Sequence, residues 1–268
     1  MKSQIRTNQP SRRIARLQPA FAALAVLALL TAPAFAGGNN GNPGILPPQS
    51  SPHGASYGEW AGRWWAWTLS FPVTADPANG SAPLDSNQSG SVWFLATAHG
   101  SGSGSIPPTV VTRQYTIPAG KALFFPVLTT WFDNTECPVS NFDHFTPEEL
   151  LALVMGFWDS VNPHTFCTVD GVEVKGLDDA ITSPYRVQSP PFSYTVASHG
   201  NLLANVFGLP CIPDGLTISP AVADGVFLML APLSVGHHTI HQVGTFGPVA
   251  HPLFLKDITY EITVVPGD

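Results

Sequence analysis

Charged side chains are scarce in this chain of 268 residues, since Asp, Glu, Lys and Arg together make up only 11% of it. Five of the eleven basic residues lie within the first 16 positions: Lys2, Arg6, Arg12, Arg13 and Arg16. Polyanions and anionic membrane surfaces are bound mainly through basic patches, which the rest of the chain cannot build. The composition therefore excludes nucleic acid as an expected partner. The low charge and 44% hydrophobic content also exclude a disordered acidic tail.

Several motifs of known chemistry are missing as well. There is no G-x-S-x-G elbow of the α/β-hydrolase type and no glycine-rich P-loop. None of the three cysteines belongs to a C-x-x-C pair, which structural zinc sites commonly use. Beyond residue 36, no apolar run is long enough to span a bilayer, which takes about 20 residues. The sequence thus contains no complete catalytic motif, and it predicts no transmembrane segment after residue 36.

The N-terminal segment has the three parts of a secretory signal. A basic stretch ends at Arg16, the apolar run Ala20–Leu30 follows, and Ala34-Phe35-Ala36 is a small-x-small cleavage site. We predict a signal peptide over residues 1–36 and export to the periplasm or the extracellular medium. The remaining 232 residues carry six basic and 18 acidic side chains, a formal net charge of −12.

Most of the mature chain shows strand patterns. Residues 37–55, rich in Gly, Pro and Asn, predict a flexible leader, and residues 56–268 predict a single domain. In the last strand, Ile258, Tyr260, Ile262 and Val264 alternate with polar residues. Many short strands separated by turn residues predict an antiparallel, jelly-roll-like β-sandwich. Asp170 and Asp224 each precede a glycine, so we expect both in turns.

One or two short helices interrupt this pattern. Thr146-Pro147-Glu148-Glu149 has the N-cap, proline and Glu of a capping box, and predicts a helix to about Ser160. Helical spacing of tryptophans predicts a second helix over Tyr57–Leu69.

Export to an oxidising compartment makes one disulfide and one free thiol the expected result for three cysteines. We favour Cys137–Cys167, because this bridge would join the two ends of the segment that contains the helix at Pro147. Cys137–Cys211 remains open as the alternative.

Several blocks of the chain resemble a family of exported bacterial proteins that are generally labelled uncharacterised. The resemblance covers most of residues 57–265. It rests chiefly on Tyr57-x-Glu59-Trp60-x-x-Arg63-Trp64-Trp65-x-Trp67 and on Pro232-Leu233-Ser234-x-Gly236-x-His238-Thr239-Ile240. It implies export and a β-rich fold, and it implies no activity.

The tryptophans are the first candidates for ligand binding, because exposed indoles stack on sugar rings and other flat ligands. Trp60, Trp64 and Trp67 share one helix face, so their spacing favours packing onto the sandwich. Trp65 points away from that face and is the better candidate. Arg63 is expected to pair with Glu59, and it would hold a ligand carboxylate only if it faced an open cleft.

Histidines and carboxylates supply the remaining candidates. His237 and His241 share one face of a predicted strand and could begin a divalent metal site if a third ligand came from elsewhere. Asp133 and Glu136 follow an apolar strand and are the best pair for acid–base catalysis, which in glycosidases needs carboxyls about 5–10 Å apart. The leading hypothesis is an exported protein that binds an extracellular small molecule or glycan. The alternatives are a secreted carboxylate-dependent hydrolase and a structural envelope protein.

Overall fold

Two β-sheets packed together, with three α-helices, form the part of the chain that a computed structural model describes: residues 41–80, 85–99, 101–102, 109–137, 144–248 and 252–267. These residues belong to one compact unit, Pro33–Asp268. The predicted signal peptide and its cleavage site lie outside the described residues. The β-sandwich prediction is confirmed.

The elements follow one another along the chain, with helices placed between groups of strands. The described helices are α1 (Tyr57–Leu69), α2 (Pro147–Ser160) and α3 (Leu202–Asn205). The strands are β1 (Val92–Phe94), β2 (Ser101–Gly102), β3 (Thr109–Pro118), β4 (Ala122–Asp133), β5 (His164–Val169), β6 (Val172–Glu173), β7 (Arg186–Gln188), β8 (Phe192–Thr195), β9 (Thr217–Leu230), β10 (Gly236–Phe246) and β11 (Phe254–Val265).

Neither sheet is purely antiparallel, which differs from the predicted antiparallel sandwich. The first sheet has the order β1-β4-β9-β7, and β8 also pairs with β9. The second has the order β2-β11-β10-β5-β6, and β3 also pairs with β11. The pairs β1–β4 and β3–β11 are parallel, and the other pairs between described strands are antiparallel.

The first sheet is covered on both faces. Phe124 of β4 makes ring contacts with Tyr57 and Trp60 of α1, whereas the adjacent Phe125 contacts Tyr260 of β11. Successive residues of a strand point to opposite faces, so β4 lies between α1 and the second sheet. Gly244 of β10 permits close packing of the sheets, because a Cβ atom there would lie 2.5 Å from the carbonyl oxygen of Val127.

Both predicted helices form where the sequence places them. Ser56 caps α1 and Thr146 caps α2, each in a capping box that Glu59 or Glu149 completes. Because Glu59 Oε2 accepts hydrogen bonds from Ser56, Arg63 instead lies over the Trp60 ring, 4.5 Å from its centroid. The expected Glu59–Arg63 pair is thus replaced by a cation–π contact.

The prediction of a flexible leader does not hold for residues 41–55. Ile45 is fully buried and forms a bridge to Leu230. The side-chain amide of Asn42 donates hydrogen bonds to the carbonyl oxygen of Lys175 and to Tyr185 Oη. The composition is that of a linker, but one buried isoleucine and one buried amide anchor this segment to the domain.

The favoured disulfide is wrong. Cys137 pairs with Cys211, with 5.7 Å between their Cα atoms, and Cys167 is a buried free thiol. Cys167 lies in β5 and its side chain is fully buried in the core, whereas Cys137 lies in the loop after β4, beside Cys211. The alternative left open by the sequence, Cys137–Cys211, is the bridge that forms.

Candidate functional site

A cavity of about 400 Å³ lies at the end of the sandwich where β10 ends and β11 begins. The cavity is lined by β4 of the first sheet and by β10 and β11 of the second sheet, so we call it the inter-sheet cavity. Helices α1 and α2, the segment Thr97–His99 and the single residues Val161, Phe207 and Leu253 complete the described part of its wall. Its size is within the usual range of small-molecule sites, about 300–1,000 Å³.

The wall of the inter-sheet cavity is largely aromatic. It contains seven aromatic side chains from six parts of the chain: Trp65, Trp131, Phe132, Phe157, Phe207, Phe246 and Phe254. The rings of Trp65 and Trp131 are 4.4 Å apart, and the ring of Phe207 meets that of Trp131 edge-on at 4.9 Å. Such a wall offers hydrophobic and stacking contacts to a flat apolar ligand.

The orientation of Trp65 depends on a hydrogen bond to β4. Its indole Nε1 donates to Thr129 Oγ1 at 3.1 Å, and Thr129 Oγ1 in turn donates to the carbonyl oxygen of Asp224. Trp65 is only 6% exposed, so the expectation that it forms an exposed stacking surface is wrong. It lines the inter-sheet cavity instead. The residue predicted to bind a ligand is therefore placed in a cavity wall.

Polar groups in this wall are few. Lys256 of β11 is 2% exposed, and burial lowers the pKa of its amine to about 7. His99 binds the fully buried carboxylate of Asp76, with 2.6 Å between Nε2 and Oδ2. Thr68 Oγ1 is buried and has no hydrogen-bond partner among the described residues. A buried hydroxyl normally has a hydrogen-bond partner, so the hydroxyl of Thr68 is free to form a hydrogen bond with a molecule bound in the cavity.

The other three predicted ligand residues are not part of this cavity. Trp64 is fully buried, and its Nε1 donates to the carbonyl oxygen of Leu95. Trp60 and Arg63 line a separate, more polar depression of about 380 Å³, together with residues 87–92 and Phe94. We call it the Trp60 groove. The tryptophans of α1 thus serve three purposes: Trp64 packs the core, Trp65 faces the cavity, and Trp60 borders the groove.

Asp133 and Glu136 do not meet at a cavity. Asp133 accepts hydrogen bonds from Trp131 Nε1 at 3.0 Å and Tyr194 Oη at 2.6 Å, and its other oxygen accepts from Thr135. Neither Asp133 nor Glu136 is among the described residues that line the inter-sheet cavity or the Trp60 groove. In the structure, Asp133 holds the end of β4 in place.

His237 and His241 cannot share a metal ion. Both lie on β10, four residues apart, and a strand rises roughly 3.4 Å per residue, which separates them by about 14 Å. His237 bonds Thr263, and His241 Nε2 lies 2.8 Å from Asp257 Oδ1. Within the described residues, no group of three His, Cys, Asp or Glu side chains could hold a metal.

The sequence-based reading missed Lys256 and His99 as cavity residues. Lys256 has the same strand parity as the buried Ile258, Tyr260 and Ile262, so the alternation of β11 already places it on the inward face. An inward-facing lysine on a strand is the signal that could have identified it. His99 gave no comparable signal, because its segment is irregular.

In comparisons with known proteins, no family model, no curated protein and no solved structure matched this chain. Among the described residues, no helix is long and apolar enough to cross a membrane.

Proposed function

We propose that this chain is an exported protein that binds a small, largely apolar molecule in the inter-sheet cavity. The observation that carries the proposal is the aromatic wall around about 400 Å³ of space, with few polar groups in it. Apolar walls with a small number of placed polar groups are typical of ligand pockets. The disulfide Cys137–Cys211 supports export, because such bonds persist in oxidising compartments.

Binding can be measured with N-phenyl-1-naphthylamine, a neutral probe whose fluorescence rises in apolar surroundings. We expect saturable binding at one site per chain, with quenching of tryptophan emission because Trp65 and Trp131 line the cavity. Ala98 is also in the wall and is 2% exposed, so Ala98→Leu places extra volume in the cavity. This variant should bind the probe at least about tenfold more weakly, a loss of about 1.4 kcal/mol.

Ala152→Leu is the matched control, because Ala152 is exposed on α2 and does not line the cavity. It should bind the probe as the parent chain does. Circular dichroism checks that both variants fold. Non-saturable binding, or equal affinity in the two variants, would show that the inter-sheet cavity is not the binding site.

The Trp60 groove favours a second candidate function, the binding of a glycan. The exposed guanidinium of Arg63 lies over the half-buried Trp60 ring, and Asn87, Gln88 and Ser91 are nearby, so this groove offers hydrogen-bonding groups to sugar hydroxyls. We expect weak binding on a glycan array that Trp60→Ala abolishes and Ala98→Leu leaves unchanged. A blank array for the parent chain would refute this second function and leave the first intact.

The hydrolase and the structural envelope protein stay predictions. For a hydrolase, Asp133 would have to leave its hydrogen bonds with Tyr194 and Trp131 to meet a substrate. For an envelope protein, the buried Trp64 fits a packing role, but an aromatic cavity with the unpartnered Thr68 hydroxyl fits binding better.

A further inference from the structure

Lys256 differs from the other two lysines of the predicted mature chain in its surroundings. It is buried in the wall of the inter-sheet cavity, whereas Lys175 is exposed and Lys121 is half-buried at the surface. The ion pairs found among the described residues do not include Lys256. A buried lysine without a carboxylate partner is unusual, because a buried charge normally has one.

The hydrogen bonds of Lys256 match those of a neutral amine. Its Nζ lies 2.6 Å from Thr97 Oγ1 and 3.3 Å from the carbonyl oxygen of Pro126. An ammonium has three N–H donors, whereas a neutral amine has two donors and one lone pair. The two acceptors present can satisfy both N–H groups of the neutral form, which leaves the lone pair of Nζ for a bound molecule.

Burial of Lys256 also favours the neutral form of its amine. It lowers the pKa of Lys256 to about 7, so a large fraction of the amine is neutral at neutral pH. A lysine that is desolvated in an apolar pocket is a nucleophile, because its lone pair is not occupied by a proton.

We propose that Lys256 captures small apolar aldehydes in the inter-sheet cavity as imines. This inference rests on the proposed function, since the aldehyde must first bind among the aromatic side chains of the wall. The lone pair of Nζ forms a bond to the carbonyl carbon, and a proton moves from nitrogen to oxygen to give a carbinolamine. The remaining N–H proton moves to the hydroxyl, the C–O bond breaks so that water leaves, and the nitrogen lone pair forms the C=N bond. One amine and one aldehyde give one imine and one water, without oxidation or reduction.

The test traps the imine by reduction. The purified chain is incubated with cinnamaldehyde or, separately, with nonanal, in the presence of sodium cyanoborohydride, and the modified lysines are located by peptide mapping. We expect the adduct at Lys256 to form at least about tenfold faster at neutral pH than the adduct at Lys175, because exposed lysine is almost fully protonated there. Saturating N-phenyl-1-naphthylamine should block the adduct at Lys256 only.

The pH dependence and two variants complete the experiment. The ratio of the rate at Lys256 to the rate at Lys175 should fall as the pH rises above about 7, because the neutral fraction of Lys256 levels off there whereas that of Lys175 keeps increasing toward about pH 10. The ratio cancels the pH dependence of the reduction, which acts on both lysines. Lys256→Met should remove the rapid adduct, and Lys175→Met should retain it. If Lys256→Met does not fold, the parent chain alone tests whether the rapid adduct forms in the cavity, because the naphthylamine should block the adduct at Lys256 and leave the adduct at Lys175.

Two outcomes overturn the inference at different levels. Equal labelling of Lys256 and Lys175, or no adduct at Lys256 with either aldehyde while the naphthylamine still binds, refutes imine formation alone. Absence of naphthylamine binding refutes the proposed function and the inference that rests on it.

Discussion

Replacing Arg186 with Met should lower the free energy of unfolding by about 3–5 kcal/mol, because it leaves the buried carboxylate of Asp224 without its positively charged partner, with only the hydrogen bond from Gln188 Nε2 among the described side-chain contacts. The side chain of Asp224 is fully buried, and that of Arg186 is 8% exposed. Arg186 Nη2 donates to Asp224 Oδ2 at 2.7 Å, and Nε lies 3.2 Å from both oxygens. The pair joins β7 to β9, and the guanidinium also lies 5.3 Å from the ring centroid of Trp158 on α2.

The control uses the second partner of the same guanidinium. Asp159 lies 3.1 Å from Arg186 Nη1, but its side chain is 59% exposed, so Asp159→Asn should cost less than about 1 kcal/mol. Burial raises the pKa of Asp224, and loss of Arg186 would raise it further, so the cost of Arg186→Met should grow as the pH rises. Urea unfolding at several pH values measures the cost of each variant and its dependence on pH. Similar costs for the two variants would contradict a dominant role of Asp224.

Replacing Cys137 and Cys211 with Ser should destabilise the chain by about 4 kcal/mol, the loop-closure value for a bridge of this span. The two cysteines are 74 residues apart in sequence. The bridge ties the loop after β4 to the segment between α3 and β9, so the unfolded chain loses a large constraint when it is removed. Urea unfolding with and without a reductant measures the effect in the parent chain.

Cys167→Ala serves as the control for this prediction. It removes a small buried side chain that forms no bridge, so it should cost about 1 kcal/mol and leave the effect of the reductant unchanged. Burial also raises the pKa of the Cys167 thiol, so this group should react with a thiol reagent only after unfolding. Rapid reaction in the folded chain, or insensitivity to reductant, would contradict the Cys137–Cys211 assignment.

Local signals predicted the secondary structure well. The tryptophan spacing placed α1 at Tyr57–Leu69, and the capping box placed α2 from Pro147 to Ser160, as observed. The alternation in β11 identified its buried face, and Asp170-Gly171 forms the expected turn, with both residues at positive φ. These features depend on hydrogen bonds and side-chain periodicities within a few residues, so the sequence alone contains them.

For Asp224, the prediction made from the neighbouring residues in the sequence is wrong. Its following glycine suggested a turn, but Asp224-Gly225 lies inside β9. Gly225 is required because a Cβ atom there would lie 2.7 Å from the carbonyl oxygen of Leu128 on the paired strand β4. The carboxylate lies there because Arg186 on β7 pairs with it. Both reasons belong to neighbours that are far away in the sequence.

The sequence by itself determined the β-rich class, the two longer helices and the inward face of β11, because each follows from short-range geometry. Only the tertiary structure decided that Cys137 pairs with Cys211, that Trp65 lines a cavity, and that Lys256 is buried beside Thr97 and Pro126. These three results depend on which strands become neighbours. Strand pairing joins residues across long stretches of chain, and no local periodicity records the partner that a strand will have.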